Sequence, residues 1–259
     1  MAVHERHHPD GILELIIEHP PVNAFTIGDL HHLAGLLQAV AGQPEVRAVV
    51  LRAEGRGFCA GGDVKEVQAL PGFEGILGQA SGSQAASLAV AECAAPVVAA
   101  VHGYCIGVGV LIVGTADVVV AATGTSFVLA EVDNGAPSGV AQALELLPAK
   151  RLRAAMLTAD PVDAAELHAH GSVYRLVDPE HVVAVAFELA GRIAAKSPAV
   201  VRRLKAALNA SAGLDTLRTR YRQELSYTYE LNLIGEAQKR RGDFIEGRRG
   251  SYVSDGEDR

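Results

Sequence analysis

Apolar runs of strand length alternate with segments of helical spacing through the first half of the chain. Predicted strands cover residues 11–19, 46–52, 96–101, 117–121 and 125–129. Predicted helices cover residues 29–40, 64–70, 84–93 and 110–114. This alternation is typical of an α/β core.

From Ser138 onward the spacing of apolar residues becomes helical. Predicted helices cover residues 139–147, 149–158, 164–168, 180–195, 198–209, 214–233 and 236–245, with one strand over 173–177. We therefore expect an α/β core over residues 1–195 and a helical region over 196–259. Four glycines make residues 71–83 a predicted mobile loop, and the polar tail 254–259 is predicted to fray.

Composition excludes several classes of function. The chain has 259 residues, and 23 Lys and Arg against 30 Asp and Glu give a net charge of −7. An acidic chain without Trp lacks clustered cations and stacking aromatics, so we expect no nucleic-acid partner. Three cysteines do not make a disulfide framework. With no apolar signal core or membrane-length apolar run, we expect a cytoplasmic protein that does not bind membranes.

Two glycine-rich turns carry the candidate chemistry. They are EGRGFCAGGD (54–63) and HGYCIGVG (102–109), and each follows a predicted strand and leads into a predicted helix. N–H groups at a helix N-terminus have no partner inside the helix. Two such turns side by side would aim two N–H groups at one oxygen, forming an oxyanion hole. Alternatively, the glycines only allow strands and helices to pack closely.

Together with other segments, these turns resemble the crotonase, or enoyl-CoA hydratase/isomerase, superfamily. The segments are HPPVNAF (19–25), VRAVVLRAEGRGFCAGGDVKEV (46–67), PVVAAVHGYCIGVGV (96–110), ADVVVA (116–121), SFVLAEVDNGAPSG (126–139), LTADPVDAAELHAHGSVYRLV (157–177) and the basic C-terminal helix. The resemblance implies a superhelix of ββα units. It also implies a helical C-terminal region that forms homotrimers or pairs of trimers.

The resemblance further implies an acyl-CoA substrate, with coenzyme A as part of the substrate and no separate cofactor or metal. Ala60 and Val108 would supply the two oxyanion N–H groups. The residues implied to line the site for substrate and CoA are Ala24, Ala60, Gly61, Gly62, Asp63, Val108, Phe244 and Arg248.

The catalytic carboxylates depart from the family pattern. Hydratases of the family use two glutamates, since adding water across a double bond needs a base for the water and an acid for the α-carbon. Glu131 matches one position, whereas Leu111 occupies the other and cannot transfer a proton. One glutamate still suffices to move a proton between two carbons or to activate one water. The main hypothesis is a hydratase/isomerase-type enzyme with Glu131 as its catalytic residue.

Two alternatives stay open. The segments EVDNG, HAHGSV and YTYELNL resemble a narrower branch, the crotonases that hydrolytically open a ring of a CoA-linked diketone in bacterial steroid catabolism. That branch also lacks the first glutamate, so a carbon–carbon hydrolase is the first alternative. The second is a non-catalytic member that binds acyl-CoA.

Other candidate residues have plainer interpretations. The ten histidines show no metal-ligand spacing such as HExxH, so no metal site is predicted. Cys59 and Cys105 are predicted to be small buried residues. Asp133 and Asn134 could line the pocket or form a turn before Gly135, and the turn is the prediction.

Overall fold

The structure is a computed structural model that describes residues 3–212 and 214–253. Its strands are β1 (Val3–His7), β2 (Ile12–Ile17), β3 (Ala48–Ala53), β4 (Val97–Val101), β5 (Tyr104–Ile106), β6 (Val118–Ala122), β7 (Ser126–Val128), β8 (Val162–Asp163) and β9 (Arg175–Val177). They form a six-stranded sheet of order β1-β2-β3-β4-β6-β9 and a three-stranded sheet of order β5-β7-β8. The predicted fraying of residues 254–259 lies outside the described residues.

The helices follow the predicted ones closely from α7 onward. They are α1 (Ile27–Ala39), α2 (Val64–Ala69), α3 (Glu74–Glu92), α4 (Val108–Gly114), α5 (Glu131–Asn134), α6 (Val140–Ala143), α7 (Ala149–Thr158), α8 (Ala164–His170), α9 (Val182–Ala194), α10 (Pro198–Ala212), α11 (Leu214–Leu233) and α12 (Glu236–Ile245). Within the described residues, no helix has both the length and the apolar character needed to cross a membrane.

The six-stranded sheet is buried on both faces along its four central strands, β2, β3, β4 and β6. Apart from the antiparallel pair β1–β2, its neighbouring strands are parallel. Leu15 and Leu51 lie in the core shared with α1 and α3, whereas Val50 and Val98 pack in a second core with α9. Burial on two faces explains why these strands read as continuous apolar runs.

Strand β1 has no counterpart among the predicted elements. Its sequence VHERH is mostly polar, and Val3 is its one buried residue. Pairing with β2, in which Val3 lies opposite Ile17, places it at the edge of the sheet. An edge strand with one solvent-facing side lacks the apolar run by which the other strands were predicted.

The prediction of a mobile loop over residues 71–83 is wrong from Glu74 onward, where helix α3 begins. The glycines allow α3 to approach its neighbours closely. A methyl group on Gly75 would lie 2.1 Å from the carbonyl oxygen of Val67, and one on Gly78 would lie 2.6 Å from Ile27 Cδ1. The packing gained at these contacts outweighs the poor helix propensity of glycine.

A partly buried ion pair, in which Lys205 is the buried partner, joins α10 to the core. Lys205 Nζ lies 2.6 Å from Asp117 Oδ2 and also donates to the carbonyl oxygens of Val90 and Ala95. Asp117 Oδ2 accepts a hydrogen bond from Val97 N at the start of β4. The predicted boundary between residues 195 and 196 falls just before this helix and stays a prediction.

Two glycine variants test whether α3 depends on close packing. We expect Gly75→Ala to lower the free energy of unfolding by about 1–3 kcal/mol, because its methyl group overlaps backbone that cannot move freely. A methyl group on Gly35 in α1 would meet no atom of a neighbouring element within 4 Å, so Gly35→Ala should raise stability by about 0.5–1 kcal/mol. Urea unfolding of both variants measures these changes. Equal stability of the two would contradict the packing role of Gly75.

Candidate active site

The two glycine-rich turns lie side by side. Cys59 and Cys105 form a parallel bridge, and Ile106 N donates to Cys59 O over 2.9 Å. A methyl group on Gly109 would lie 2.8 Å from Cys59 Cβ, so this approach requires glycine. Both cysteines are buried, and burial raises the pKa of the Cys59 thiol to about 12. The prediction that they are small buried residues is confirmed.

Asn23 supports the first turn and was missed by sequence reasoning. It has a left-handed backbone with a φ of 57°. Its Nδ2 donates to the carbonyl oxygens of Glu54 and Gly57 over 2.7 and 2.8 Å. Asparagine is one of the few residues that adopt this backbone conformation readily. The asparagine in HPPVNAF was therefore the sequence feature that could have indicated a left-handed residue here.

Ala60 and Val108, the two residues predicted to supply oxyanion N–H groups, line the same cavity. Val108 is the first residue of α4, so its N–H has no acceptor inside that helix. Ala60 N donates to Asn23 O over 3.3 Å, which is long for such a bond. A ligand oxygen can therefore compete for the Ala60 N–H at small cost.

The cavity has a volume of about 590 Å³, a size typical of small-molecule sites. Eight of the predicted site residues line it: Ala24, Ala60, Gly61, Gly62, Asp63, Val108, Glu131 and Phe244. Arg248 does not line it. That side chain is exposed and pairs with Asp243 and Glu246.

In the segment that follows α12, the arginine that lines the cavity is Arg249. Its Nη2 donates to Asn134 Oδ1 over 2.6 Å, and its guanidinium lies 4.9 Å from the centroid of the Phe244 ring. The turn predicted at Asp133 and Asn134 is instead the short helix α5, which ends at Gly135 with a φ of 63°, and Asn134 lines the cavity. Asp133 accepts a hydrogen bond from the Tyr252 hydroxyl. Asp133 and Asn134 of α5 thus both bind the segment that follows α12.

Glu131 lies at the second glycine turn. A methyl group on Gly107 would lie 3.6 Å from Glu131 Oε1. The residue is 9% exposed, and Oε2 has no hydrogen-bond partner among the described residues. Burial raises the pKa of this carboxyl from an ordinary 4.5 to about 8. A carboxyl in this state can accept or release a proton near neutral pH.

Leu111 occupies the position at which hydratases of the family carry the first of their two glutamates. Its side chain is buried and packs over Gly139, where a methyl group would lie 2.6 Å from Leu111 Cδ1.

The cavity wall formed by α11 contains Tyr221, whose pKa is raised by burial and whose hydroxyl lies near those of Ser138 and Ser83. Tyr221 sits in an ordinary helical pattern, so the sequence carried no signal for it.

The YTYELNL stretch contributes Thr228 to the cavity. Tyr227 is exposed, and Tyr229 packs against the core without lining the cavity. Elsewhere, Asp178, Glu180 and His181 bring three possible metal-ligand atoms within 4.8 Å of one another. They are exposed and do not line the cavity.

The fold and the cavity define a crotonase-type protein, and comparison with known proteins agrees. The enoyl-CoA hydratase/isomerase family matches residues 7–254, so the chain belongs to this family. An enoyl-CoA hydratase structure from Mycobacterium avium subsp. paratuberculosis K-10 has a TM-score of 0.83 and 25% identity, covering 98% of this chain and 99% of that one. The fold class predicted from the sequence is confirmed.

Two curated relatives share more of the sequence. Both are named "(7aS)-7a-methyl-1,5-dioxo-2,3,5,6,7,7a-hexahydro-1H-indene-carboxyl-CoA hydrolase". The protein from Rhodococcus jostii is 41% identical over 92% of this chain and 92% of its own. The protein from Mycobacterium tuberculosis is 41% identical over 91% of this chain and 95% of its own. The resemblance to the steroid-ring branch is confirmed.

The raised pKa of Glu131 makes stability depend on pH. The folded protein holds this proton more tightly than the unfolded chain, so stability is lost as pH rises from 4.5 towards about 8. We expect the Tm of wild type, relative to Glu131→Gln, to fall between pH 5 and 9. Thermal unfolding across this range measures the difference.

Glu145→Gln is the matched control for this measurement. Glu145 is exposed and lies outside the cavity, so water surrounds its carboxyl in the folded protein much as in the unfolded chain. Its difference from wild type should stay constant between pH 5 and 9. The same flat profile for Glu131→Gln would contradict the buried, protonated state of Glu131.

Proposed function

We propose that this acyl-CoA enzyme of the crotonase family hydrolyses a carbon–carbon bond in a ring of a CoA-linked bicyclic diketone. The observation that carries the proposal is the buried Glu131 in a cavity between two glycine turns, with Leu111 where a second carboxylate would stand. The names of the two 41%-identical relatives supply the substrate class: a hexahydroindene that bears two keto groups and a carboxyl-CoA thioester.

The thioester oxygen accepts hydrogen bonds from the N–H groups of Ala60 and Val108. Both residues line the cavity, and the two turns that carry them are bridged at Cys59 and Cys105. When negative charge develops on this oxygen, fixed donors in a site with little water stabilise it strongly. The substrate then reacts through an enolate of its thioester.

Glu131 activates the water. Its carboxylate takes one proton from a water molecule, and the resulting hydroxide adds to the ring ketone. The bond between the ketone carbon and its ring neighbour breaks, and its electron pair passes through the conjugated system to the thioester as an enolate. Glu131 returns the proton to carbon. The ketone becomes a carboxylic acid, the ring opens, and the CoA thioester is kept.

Hydrolysis fits this site better than hydration does. Hydration needs a base for water and a separate acid for the α-carbon, whereas Leu111 presents an apolar side chain at the second position. The single proton of Glu131 completes the hydrolytic cycle. Isomerisation also needs one proton carrier, and the relatives' names favour hydrolysis over it.

We further propose a cytoplasmic homotrimer or pair of trimers that needs no separate cofactor, metal ion, nucleic acid or membrane. Exposed apolar side chains support an interface between copies: Val200, Leu204 and Leu208 lie at helical spacing on α10, and Leu233 and Ile234 lie at the end of α11 and just after it. An exposed apolar stripe of this kind favours burial against another surface.

Replacement of Glu131 tests the proposed mechanism. With the hexahydroindene-dione carboxyl-CoA thioester as substrate, we expect Glu131→Gln to lower kcat about 10²- to 10⁴-fold, because general-base catalysis is lost. Binding of the thioester should be retained. In wild type, kcat/KM should rise with pH, with an apparent pKa near 8, as the carboxyl ionises. Mass spectrometry should find a product heavier by one water.

Glu145→Gln serves as control, since Glu145 is exposed and outside the cavity. Unchanged kcat in Glu131→Gln would rule out the catalytic role. Rapid hydration of crotonyl-CoA by wild type would favour the hydratase hypothesis despite Leu111. Tight CoA binding without turnover of any CoA thioester would favour the non-catalytic alternative.

A further inference from the structure

Arg241 of α12 is an arginine buried in the cavity wall without a counter-charge. It is 6% exposed and lines the cavity. Among the described residues its partners are two neutral amides, and no carboxylate pairs with it. Burying an unpaired charge is expensive for a protein. A guanidinium kept in this state is suited to a ligand that brings negative charge.

The guanidinium is held in one orientation. Nε donates to Gln68 Oε1 and Nη2 donates to Asn232 Oδ1, each over 3.0 Å. Nη1 has no acceptor among the described residues. Gln68 belongs to α2 and Asn232 to α11, so two elements fix the donor. Because both partners are uncharged, the full positive charge of Arg241 stays available to a ligand.

The position of α12 relates Arg241 to Glu131. Ala237 lies one helical turn before Arg241, and a methyl group on Gly135 would lie 2.8 Å from Ala237 Cα. Gly135 ends α5, the helix that begins at Glu131. Glu131 and Arg241 thus enter one cavity from neighbouring helices.

A polar neighbour extends this part of the cavity wall. Thr228 lies one turn before Asn232 on α11, lines the cavity and is 2% exposed. Its Oγ1 has no hydrogen-bond partner among the described residues. The wall formed by α11 and α12 therefore offers two unused polar groups to a ligand, of which one is charged.

The proposed hydrolysis, on which this inference rests, creates negative charge away from the thioester. Water converts the ring ketone first to a tetrahedral alkoxide and then to a carboxylate. We propose that Arg241 binds the oxygen of the attacked ring ketone and then the carboxylate into which hydrolysis converts it. The backbone donors at Ala60 and Val108 serve the thioester, and Arg241 serves the other end of the acyl group.

Binding measurements test this role without turnover. Glutaryl-, adipyl- and pimelyl-CoA end in a carboxylate, and valeryl-, hexanoyl- and heptanoyl-CoA are their uncharged counterparts. We expect wild type to bind at least one carboxylate-ended thioester about 10- to 100-fold more tightly than its counterpart, as a charged hydrogen-bonded pair allows. Arg241→Gln should erase this preference and leave the Kd of free CoA within about twofold. Isothermal titration calorimetry gives each Kd.

Arg240→Gln is the matched control, because Arg240 is the adjacent arginine, lies outside the cavity and pairs with Glu236 on the surface. It should keep the preference. Equal weakening of free CoA and of all thioesters in Arg241→Gln would assign Arg241 to a CoA phosphate and overturn the proposal. Absence of any preference in wild type, across the three chain lengths, would also overturn it.

Stability and activity separate ligand binding from a structural role. Removing an unpaired buried charge should leave the Tm of Arg241→Gln equal to or above that of wild type. Its kcat/KM for the dione thioester should fall about 10²- to 10³-fold, and Arg241→Lys should recover part of this loss. A lowered Tm with equal loss for every ligand would contradict the proposal. If wild type does not hydrolyse the dione, the proposed function fails, and the carboxylate preference still decides the role of Arg241.

Discussion

The close approach of the two glycine turns is the constraint on which the site depends. Cys59 and Cys105 pair along a parallel bridge, and Gly109 leaves no space between α4 and Cys59 for a side chain. This contact places the N-terminus of α4 next to the first turn, which contains Ala60. Glu131 lies close to Gly107 of the second turn. Strands β3 and β4, which lead into the turns, are adjacent and parallel, so both turns emerge from the same edge of the sheet.

The burial of Glu131 determines the protonation of its carboxyl. Burial raises the pKa of its carboxyl because it removes the water that would stabilise the anion. The absence of a carboxylate at position 111 also affects the chemistry that the cavity can perform. Leu111 packs over Gly139 and lines the cavity with an apolar side chain, so only one of the two glutamate positions of the family holds a proton carrier. Such a site suits reactions in which a single group takes a proton from water and later returns it to carbon.

The C-terminal helices complete the cavity. Tyr221, Thr228, Arg241 and Arg249 reach it from α11, α12 and the segment that follows. Lys205 joins α10 to the start of β4 through Asp117, so a partly buried ion pair links the two halves of the chain. The acyl end of a substrate would therefore meet side chains of the second half, while its thioester meets backbone of the first.

The sequence by itself determined the class of fold, the two turns and the position of Glu131. Those features depend on local patterns: apolar runs between helices, clustered glycines, and motifs in a fixed order. It did not reveal that the glycines of residues 71–83 belong to a packed helix, because glycine lowers helix propensity and the compensating contacts come from Ile27 and Val67. The sequence also predicted Arg248 at the site, whereas the structure places Arg249 there. The two arginines are adjacent in the chain, and only the path of the backbone after α12 determines which side chain faces the cavity. Only the tertiary structure decided that Asn23 holds the first turn and that Arg241 lies buried without a counter-charge. Those properties arise from contacts between segments far apart in the chain, and no local pattern records them.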